Sequence, residues 1–228
     1  MIAPLVHKFR LFPFRSRIND IARKFSRTVL CHLWVRWFSC PFESLKPYIP
    51  PQGVIYDLGC GHGLMLQMLD ACLPENVTLA GFDIDQRKID IAAGLNRSVR
   101  TSYNVRDITD DLGVCDLSGI ILNDTLHLLG WSEQENLLRR CHDYLARRGV
   151  LLIKEIERRP AWKFHWSRFQ EKLVNDVFHL TQGAGLYYRS RASWLEILGK
   201  TGFQVEVIPA HQGYPYSHII YHCHKVQP

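Results

Sequence analysis

From residue 53 onward, the chain alternates short apolar runs, rich in β-branched residues, with stretches of helical periodicity. This alternation is typical of a largely parallel sheet that is covered by helices on both faces. The last two apolar runs are separated only by a turn-rich stretch, which favours an antiparallel hairpin at the edge of the sheet. We therefore expect one α/β domain. Its predicted strands are Gly53 to Leu58, Val77 to Asp83, Thr101 to Val105, Leu117 to Asn123, Gly149 to Ile156, Phe203 to Ile208 and Ser217 to Cys223.

The spacers between the first five strands are predicted to be helical, and the pattern is clearest from Ser132 to Arg147. Ser132 followed by Glu135 has the spacing of a capping box, so the helix should begin there. Four apolar side chains would share one face of this helix: Leu137, Leu138, Cys141 and Leu145.

Two segments rich in aromatic residues interrupt the alternation. Residues 157 to 190 are predicted to form a helical cap over the open end of the sheet. Residues 18 to 40 mix aromatic with basic side chains and are predicted to form a helix that packs across the entrance of the domain. We therefore divide the chain into an N-terminal segment, residues 1–50, and a domain, residues 51–228, that contains the cap.

Composition and charge narrow the class of protein. The chain has 228 residues, of which 46% are hydrophobic, as expected for a folded globular enzyme. The net charge of +6 comes from residues 1 to 50, where nine Lys and Arg face two Asp and Glu. The sequence has neither a signal peptide pattern nor an apolar run of the ~20 residues that a membrane span requires. We therefore expect a cytoplasmic protein, with membrane contact only at the periphery, through the basic N-terminal segment.

The cysteines and histidines do not form a recognisable metal site. The seven cysteines contain no CxxC pair and lie mostly in apolar runs, as reduced thiols of a cytoplasmic protein do. His222 and His224 alternate along a predicted strand without nearby carboxylate partners. We expect no bound metal.

A glycine-rich loop, Asp57-Leu-Gly-Cys-Gly-His-Gly63, joins the first strand to a helical run. Glycines at such a junction let backbone N–H groups approach a ligand, and the start of the helix adds partial positive charge. The spacing GxGxG lacks the third glycine of a dinucleotide loop, and Asp57 would oppose a pyrophosphate. The loop therefore favours a cationic amino-acid ligand such as a sulfonium.

Acidic residues follow the next strands at the edge where open α/β sheets bind ligands. Asp83 ends the second strand, from which a carboxylate can accept hydrogen bonds from both ribose hydroxyls. After the third strand, Asp107 offers an acceptor for an adenine amine and Ile108 an apolar side chain beside the ring. The fourth strand ends in Asn123 and Asp124 at the same edge.

From about Pro50 to the C-terminus, these ordered motifs resemble the class I S-adenosylmethionine-dependent methyltransferases. The resemblance implies a Rossmann-like sheet of seven strands with the last strand antiparallel, and S-adenosylmethionine as cofactor. It also implies that the cofactor contacts Asp57, Gly59, Cys60, Gly61, Gly63, Asp83, Ile84, Asp107, Ile108 and Asn123. In this interpretation Cys60 is a small side chain beside the cofactor.

Methyl transfer to a hydroxyl group gains from a nearby base, and a histidine can accept the proton near neutral pH. His127, with Asp124 three residues earlier, is the first candidate for the catalytic pair. His62 is expected to face solvent or the substrate.

The aromatic cap indicates a small aromatic or apolar acceptor, free or on an acyl carrier protein, and O-methylation. The predicted acceptor-binding residues are Trp166, Tyr187, Tyr188, Arg189 and His218. The sequences around Tyr187 to Phe203 and Pro215 to His218 resemble methyltransferases found with bacterial aryl-polyene or polyketide-like pathways.

Three other functions are compatible with parts of the sequence. Asp124 and Lys154 resemble two members of the Lys-Asp-Lys-Glu tetrad of RNA methyltransferases, although His218 stands where the glutamate is expected. A nicotinamide-dependent reductase would need pyrophosphate at the glycine loop, which Asp57 disfavours. A protein that binds the cofactor without catalysis, as a partner or a peripheral membrane scaffold, would show the same cofactor motifs.

Overall fold

A computed structural model describes residues 25–157 and 186–226. The helices are α1 (Arg27–Ser39), α2 (Phe42–Leu45), α3 (Leu64–Cys72), α4 (Gln86–Leu95), α5 (Trp131–Tyr144) and α6 (Arg191–Lys200). The strands are β1 (Gly53–Leu58), β2 (Val77–Asp83), β3 (Thr101–Val105), β4 (Leu117–Asn123), β5 (Leu145–Ile156), β6 (Phe203–Pro209) and β7 (His218–Lys225). Single 3₁₀ turns occupy Lys46–Tyr48 and Leu126–Leu128.

The seven strands form one sheet in the order β3-β2-β1-β4-β5-β7-β6. Strands β1 to β5 pair in parallel, whereas β7 is antiparallel to both β5 and β6. The expected hairpin is therefore present, and β7 lies inside the sheet while β6 forms the edge. The mostly parallel seven-stranded α/β sheet with its last strand antiparallel is confirmed.

Several predicted boundaries differ from the structure. Strand β5 begins at Leu145 instead of Gly149, so α5 ends at Tyr144 and Leu145 pairs with β4. Strand β7 runs from His218 to Lys225, slightly later than predicted. The connection from β3 to β4, residues 106–116, contains no helix. Local periodicity could not reveal these shifts, because strand pairing decides where an extended segment begins.

The start of α5 also corrects the sequence prediction. The helix begins at Trp131, and the Glu133 side chain accepts a hydrogen bond from the Gly130 N–H at 2.7 Å. This is half of a capping box, shifted two residues from the predicted Ser132 and Glu135. Three members of the predicted apolar stripe, Leu137, Leu138 and Cys141, are buried on α5, whereas the fourth, Leu145, lies in β5.

Alternating residues of each strand feed two apolar layers, one on each face of the sheet. In β4, Ile121 packs with α1 and α3, whereas Ile120 and Leu122 pack with α5 and α6. Leu33 and Trp37 of α1 are each 1% exposed and belong to the first layer. The N-terminal helix is thus part of the domain core, which fixes it against the carboxyl edge of the sheet.

The predicted cap lies almost wholly outside the described residues, which resume at residue 186. No helix within residues 25–157 and 186–226 is long and apolar enough to cross a membrane.

Candidate active site

The glycine loop between β1 and α3 has the backbone geometry that its sequence predicts. Gly59, Gly61 and Gly63 have φ values of +82°, +55° and +75°, a region that side-chain-bearing residues rarely occupy. A Cβ on Gly59 would lie 2.4 Å from the Thr125 side chain, and one on Gly63 would lie 2.7 Å from the Tyr103 ring. Glycine is therefore required for both the turn and the close packing.

Asp83 connects the end of β2 to this loop. Its carboxylate accepts hydrogen bonds from the Gly61 N–H and the Asp85 N–H, both at 2.9 Å. Because a carboxylate has about four acceptor sites, these two bonds hold Asp83 in place and leave acceptor capacity for a ribose. Asp83 borders the cavity described below, as a ribose-binding acid must.

Asp57 is the most isolated charge of the site. Its side chain is 1% exposed, and no described residue donates a hydrogen bond to Oδ1. Burial, reinforced by nearby Asp83, raises the pKa of Asp57 to about 7, against a smaller opposing effect of Arg36. A buried acceptor without a donor, beside a second acid, fits a ligand that brings positive charge, such as the amino-acid half of S-adenosylmethionine.

A cavity of about 490 Å³ opens along the carboxyl edge of the sheet, over β1, β2 and β4. Nine of the ten predicted cofactor residues line it: Asp57, Gly59, Cys60, Gly61, Asp83, Ile84, Asp107, Ile108 and Asn123. Gly63 stands behind the wall as the N-cap of α3. Asp107 accepts two hydrogen bonds from Thr109, at 2.8 Å from the backbone and 2.7 Å from the hydroxyl.

The other end of the cavity brings together the two predicted catalytic residues and one predicted acceptor-binding residue, His218. Asp124, His127 and His218 line it with apolar groups that include Leu128, Leu129, Ile156 and Tyr216. These residues follow β4, end β5 or begin β7, so they lie on the side of the sheet away from Asp83. We name these two parts of the cavity the nucleoside end and the acceptor end, after the roles that the sequence predicts for their residues.

His127 is held by a carboxylate from the neighbouring strand. Its Nδ1 lies 2.8 Å from Oε2 of Glu155, and both side chains are only 2% exposed. The Leu126 N–H donates to Oε1 of the same glutamate at 3.0 Å, which fixes the carboxylate in turn. The Tyr188 ring stacks on the imidazole with centroids 4.8 Å apart. The histidine is thus oriented on two sides before any ligand binds.

Asp124 joins α1 to β5 through two cations. Its Oδ2 lies 2.5 Å from Lys154 Nζ and 2.8 Å from Arg36 Nη1. Burial alone would raise the pKa of Asp124, but Lys154 and Arg36 outweigh it and hold that pKa far below its usual value. Asp124 is consequently an anion that binds a proton only weakly, which makes it a poor general base. Its role is to hold these charges at the acceptor end.

His218 is held in one tautomer. Its Nε2 lies 2.6 Å from the backbone carbonyl oxygen of Ser39, which can only accept a hydrogen bond. Burial and the nearby Lys154 lower the pKa of His218 well below its usual value. The imidazole is therefore neutral, with its proton on Nε2.

Three other predicted acceptor-binding residues are not among the described residues that line the cavity: Tyr187, Tyr188 and Arg189. The backbone N–H of Tyr187 donates to the His127 carbonyl at 2.7 Å, and the Tyr188 ring stacks on the His127 imidazole. Arg189 donates to Gln134 at 2.7 Å and lies 3.1 Å from Glu135, so it ties its segment to α5. These contacts give Arg189 a structural role and do not support an acceptor role. Trp166 lies outside the described residues.

Of the two positions predicted for His62, facing solvent or facing the substrate, the structure excludes the first. It is 8% exposed and lines the cavity, with its ring centroid 4.9 Å from that of His32 on α1. Burial, together with neighbouring positive charges, lowers the pKa of His62 to about 3 and that of His32 to about 4. Both rings are therefore neutral and contribute contact surface to the nucleoside end.

Sequence reasoning missed the cavity residues of α1 and the partner of His127. His32, Val35, Arg36 and Ser39 line the cavity at the spacing of a single helix face. The spacing is present in the sequence, but the aromatic residues of the same helix form a second face, which packs on the core. Glu155 could have been suspected, because it and Lys154 are charged residues inside an otherwise apolar strand.

Among the described residues, no group of three or more His, Cys, Asp or Glu side chains is placed to hold a metal ion. The seven cysteines are free thiols. Burial raises the pKa of the Cys60 thiol well above its usual value, which makes it a poor nucleophile.

Comparisons with known proteins agree with this geometry. The family model described as a methyltransferase domain matches residues 29–207. Among curated proteins, the chain is 26% identical over 172 residues to the carboxy-S-adenosyl-L-methionine synthase of Trichodesmium erythraeum. The aligned region covers 69% of this chain and 68% of the synthase. The synthase of Idiomarina loihiensis is 22% identical, over 79% of this chain and 76% of its own.

Solved structures share the fold at low sequence identity. A putative S-adenosylmethionine-dependent methyltransferase from Listeria monocytogenes superposes with a TM-score of 0.62 at 18% identity, over 82% of this chain and 98% of that one. The magnesium protoporphyrin IX methyltransferase of Synechocystis, solved with bound S-adenosylhomocysteine, gives a TM-score of 0.59 at 17% identity over 81% and 80% of the two chains. Together with the family match, which spans most of the sequence, these findings place the chain in the methyltransferase-domain family, as a class I S-adenosylmethionine-dependent methyltransferase.

Proposed function

We propose that this chain transfers the methyl group of S-adenosylmethionine to a hydroxyl oxygen of a small aromatic or apolar acceptor, with His127 as the general base. The observation that carries the proposal is the buried His127–Glu155 pair at the acceptor end, with Nδ1 and Oε2 2.8 Å apart. A carboxylate that holds one ring nitrogen of a histidine is the usual way to orient such a base.

The pair defines which atom accepts the proton. Because the Glu155 carboxylate can only accept, Nδ1 carries the proton and Nε2 carries the lone pair. The acceptor hydroxyl would give its proton to Nε2 while its oxygen bonds to the methyl carbon. The carbon–sulfur bond breaks, its electron pair stays on sulfur, and S-adenosylhomocysteine remains. Glu155 then stabilises the imidazolium that has formed.

The rest of the acceptor end supports the choice of an acceptor with an apolar body. Leu128, Leu129, Ile156 and Tyr216 line this end together with Phe42. Side chains of this kind surround planar or aliphatic ligands, and a few polar groups among them fix the orientation. An in-line displacement needs the acceptor oxygen to be aligned with the methyl group, and such a walled cavity can provide that alignment.

The test is the His127→Ala variant, compared with His142→Ala. His142 lies on α5 outside the cavity and is partly exposed, so it controls for loss of a histidine. We expect His127→Ala to lower kcat about 10²- to 10⁴-fold with a hydroxyl acceptor found by screening, while S-adenosylhomocysteine affinity measured by calorimetry stays within about twofold. Unchanged turnover in His127→Ala would remove the base from the mechanism.

The named relatives motivate a second candidate, synthesis of carboxy-S-adenosylmethionine. Both of the relatives described above carry that name, and the cavity wall includes the cations Arg36 and Lys88, which could hold a carboxylate near the cofactor. Mass spectrometry of S-adenosylmethionine after incubation with the protein and a cell extract would separate the two functions. A cofactor product that carries an added carboxyl group would favour the synthase, and a methylated acceptor would favour methyl transfer.

A further inference from the structure

Two buried acceptor atoms at the acceptor end have no donor among the described residues. They are Nδ1 of His218 and Oδ1 of Asp124, and both side chains line the cavity. His218 is 2% exposed, and the side chain of Asp124 is 7% exposed. Buried polar atoms in folded proteins are nearly always paired, so two unpaired acceptors in one cavity indicate that a ligand supplies the donors.

We propose that His218 and Asp124 form a subsite that selects acceptor molecules with a second hydroxyl group, in addition to the one that is methylated. This inference rests on the proposed function, because it assumes that a methyl acceptor occupies this end of the cavity. It adds the chemical class of that acceptor, a dihydroxylated aromatic or apolar molecule.

The tautomer of His218 makes it an acceptor. Because Nε2 donates to the Ser39 carbonyl at 2.6 Å, the lone pair lies on Nδ1. Three charged groups face the ring. Lys154 and Arg36 oppose a second proton on the imidazole, whereas Asp124 favours it. Burial outweighs the effect of Asp124, so the ring stays neutral. A ligand can therefore meet this nitrogen only with a donor group.

The cations around Asp124 decide between a neutral donor and an ammonium group. Arg36 and Lys154 already contact Oδ2, at 2.8 Å and 2.5 Å, so the local charge without a ligand is positive. A third cation at Oδ1 would be repelled by both. A hydroxyl group supplies the same hydrogen bond without that repulsion, so the subsite favours hydroxyl over ammonium.

The subsite is separated from the groups that hold the nucleoside. His218 opposes Ile156 in the β5–β7 pairing, and β4 and β5 lie between it and β1. The nucleoside-binding carboxylate, Asp83, ends β2 on the other side of β1. The ribose hydroxyls of the cofactor are therefore expected at Asp83, away from His218, and the donor for His218 Nδ1 is expected from the acceptor.

Selection would act by rejection of molecules that lack the hydroxyl. A ligand that fills this end without a donor leaves both desolvated acceptors unpaired, whereas each hydroxyl group that it carries pairs with one of them. Sites built to bind a substrate hydroxyl discriminate strongly against analogues without it for this reason.

The test observes His218 directly in the full chain saturated with S-adenosylhomocysteine and labelled with ¹⁵N-histidine. The His218→Phe variant identifies the resonances of His218. We expect a proton on Nε2 and an Nδ1 resonance typical of a bare lone pair. Catechol at millimolar concentration should shift Nδ1 towards hydrogen-bonded values, whereas 1,2-dimethoxybenzene, which has the same ring without donors, should leave it in place.

Other outcomes would overturn the subsite. These are a proton on Nδ1 in the absence of probe, no shift with catechol, or equal shifts with both probes. The same titration in the His127→Ala variant separates this inference from the proposed function. If that variant keeps full activity but still shows the catechol-specific shift, the base assignment fails and the subsite stands. If His127→Ala loses activity and catechol shifts Nδ1 neither in this variant nor in the original chain, the subsite is refuted and the base assignment stands.

Turnover offers an independent measurement. The ratio of kcat/KM for catechol to that for phenol should fall at least tenfold in His218→Phe, with thermal unfolding used to confirm that the variant folds. His222→Phe on the same strand is the matched control, because His222 lies outside the cavity wall. A ratio unchanged in His218→Phe would contradict the subsite.

Discussion

At the scale of single residues, the buried carboxyl of Asp57 in the candidate site makes the stability of the protein depend on pH. This carboxyl is fully buried, lacks a donor on Oδ1 and has a pKa of about 7 against an ordinary value of 3.8. Between these two pH values the folded protein holds a proton that the unfolded chain releases. The contribution of Asp57 to the free energy of unfolding therefore falls as the pH rises from about 4 to about 7.

The Asp57→Asn variant tests this linkage. Each factor of ten in proton affinity corresponds to about 1.4 kcal/mol, so the variant should gain up to about 4 kcal/mol relative to the original chain between pH 4 and pH 8. Urea unfolding of the ligand-free protein at several pH values measures it. Asp143→Asn, which changes a 79% exposed carboxylate on α5, is the control and should show no such gain. Parallel pH curves for Asp57→Asn and the original chain would contradict the raised pKa.

At the scale of elements, α1 has two faces with two functions. Leu33 and Trp37 enter the core, and Trp37 stacks on Phe42 with centroids 5.5 Å apart. His32, Val35, Arg36 and Ser39 form the wall of the cavity. The Ser39 carbonyl and the Arg36 guanidinium also hold His218 and Asp124. Packing of the helix therefore positions both the predicted cofactor wall and the proposed acceptor subsite.

Removal of the core anchor of α1 should cost stability and binding together. We expect Trp37→Ala to lower the free energy of unfolding by about 3–5 kcal/mol, as for other large-to-small changes of buried aromatic residues. It should also weaken S-adenosylhomocysteine binding, because the cavity wall moves with the helix. Trp34→Ala, on a half-buried tryptophan of the same helix, is the control and should cost less. Denaturant unfolding and calorimetry measure the two effects, and an equal loss of stability in both variants would argue against the anchor.

At the scale of the whole molecule, the cavity couples ligand binding to global stability. S-adenosylhomocysteine at about 100 times its Kd should add about 2.7 kcal/mol, which for a chain of this size corresponds to a rise in Tm of about 5–10 °C. NAD⁺ should produce no rise, because Asp57 opposes a pyrophosphate at the glycine loop. The Asp83→Ala variant should lose most of the effect of S-adenosylhomocysteine. A rise with NAD⁺ would instead support a dinucleotide site.

The sequence was sufficient for the fold wherever local pattern determines structure. The first four predicted strands match β1 to β4 at both ends, because each contains β-branched residues that favour extended backbone. The glycine loop and Asp83 were also predictable, since their chemistry lies in adjacent residues. The beginning of β5 was not, because Leu145 becomes extended by pairing with Leu117 of β4.

The acceptor end was harder to predict, because its contacts join residues that are far apart in sequence. Asp124 meets Arg36 of α1 and Lys154 of β5, and His218 meets Ser39, only once the sheet has assembled. His127 was identified from its position after β4, but its partner Glu155 depends on the parallel pairing of β4 with β5. Sequence pattern thus located the cofactor half of the cavity more completely than the acceptor half.

The sheet order has a consequence for how this architecture can diversify. In the proposed function, residues between Asp57 and Ile108 hold the donor of the methyl group, the segment after β4 and the β5–β7 pair meet its recipient, and α1 borders both. Substitutions on one flank can therefore retune the choice of recipient without disturbing the other. A chimera that keeps residues 53–116 and exchanges the remainder for that of a distant homologue would inherit its selectivity and still accept the same donor.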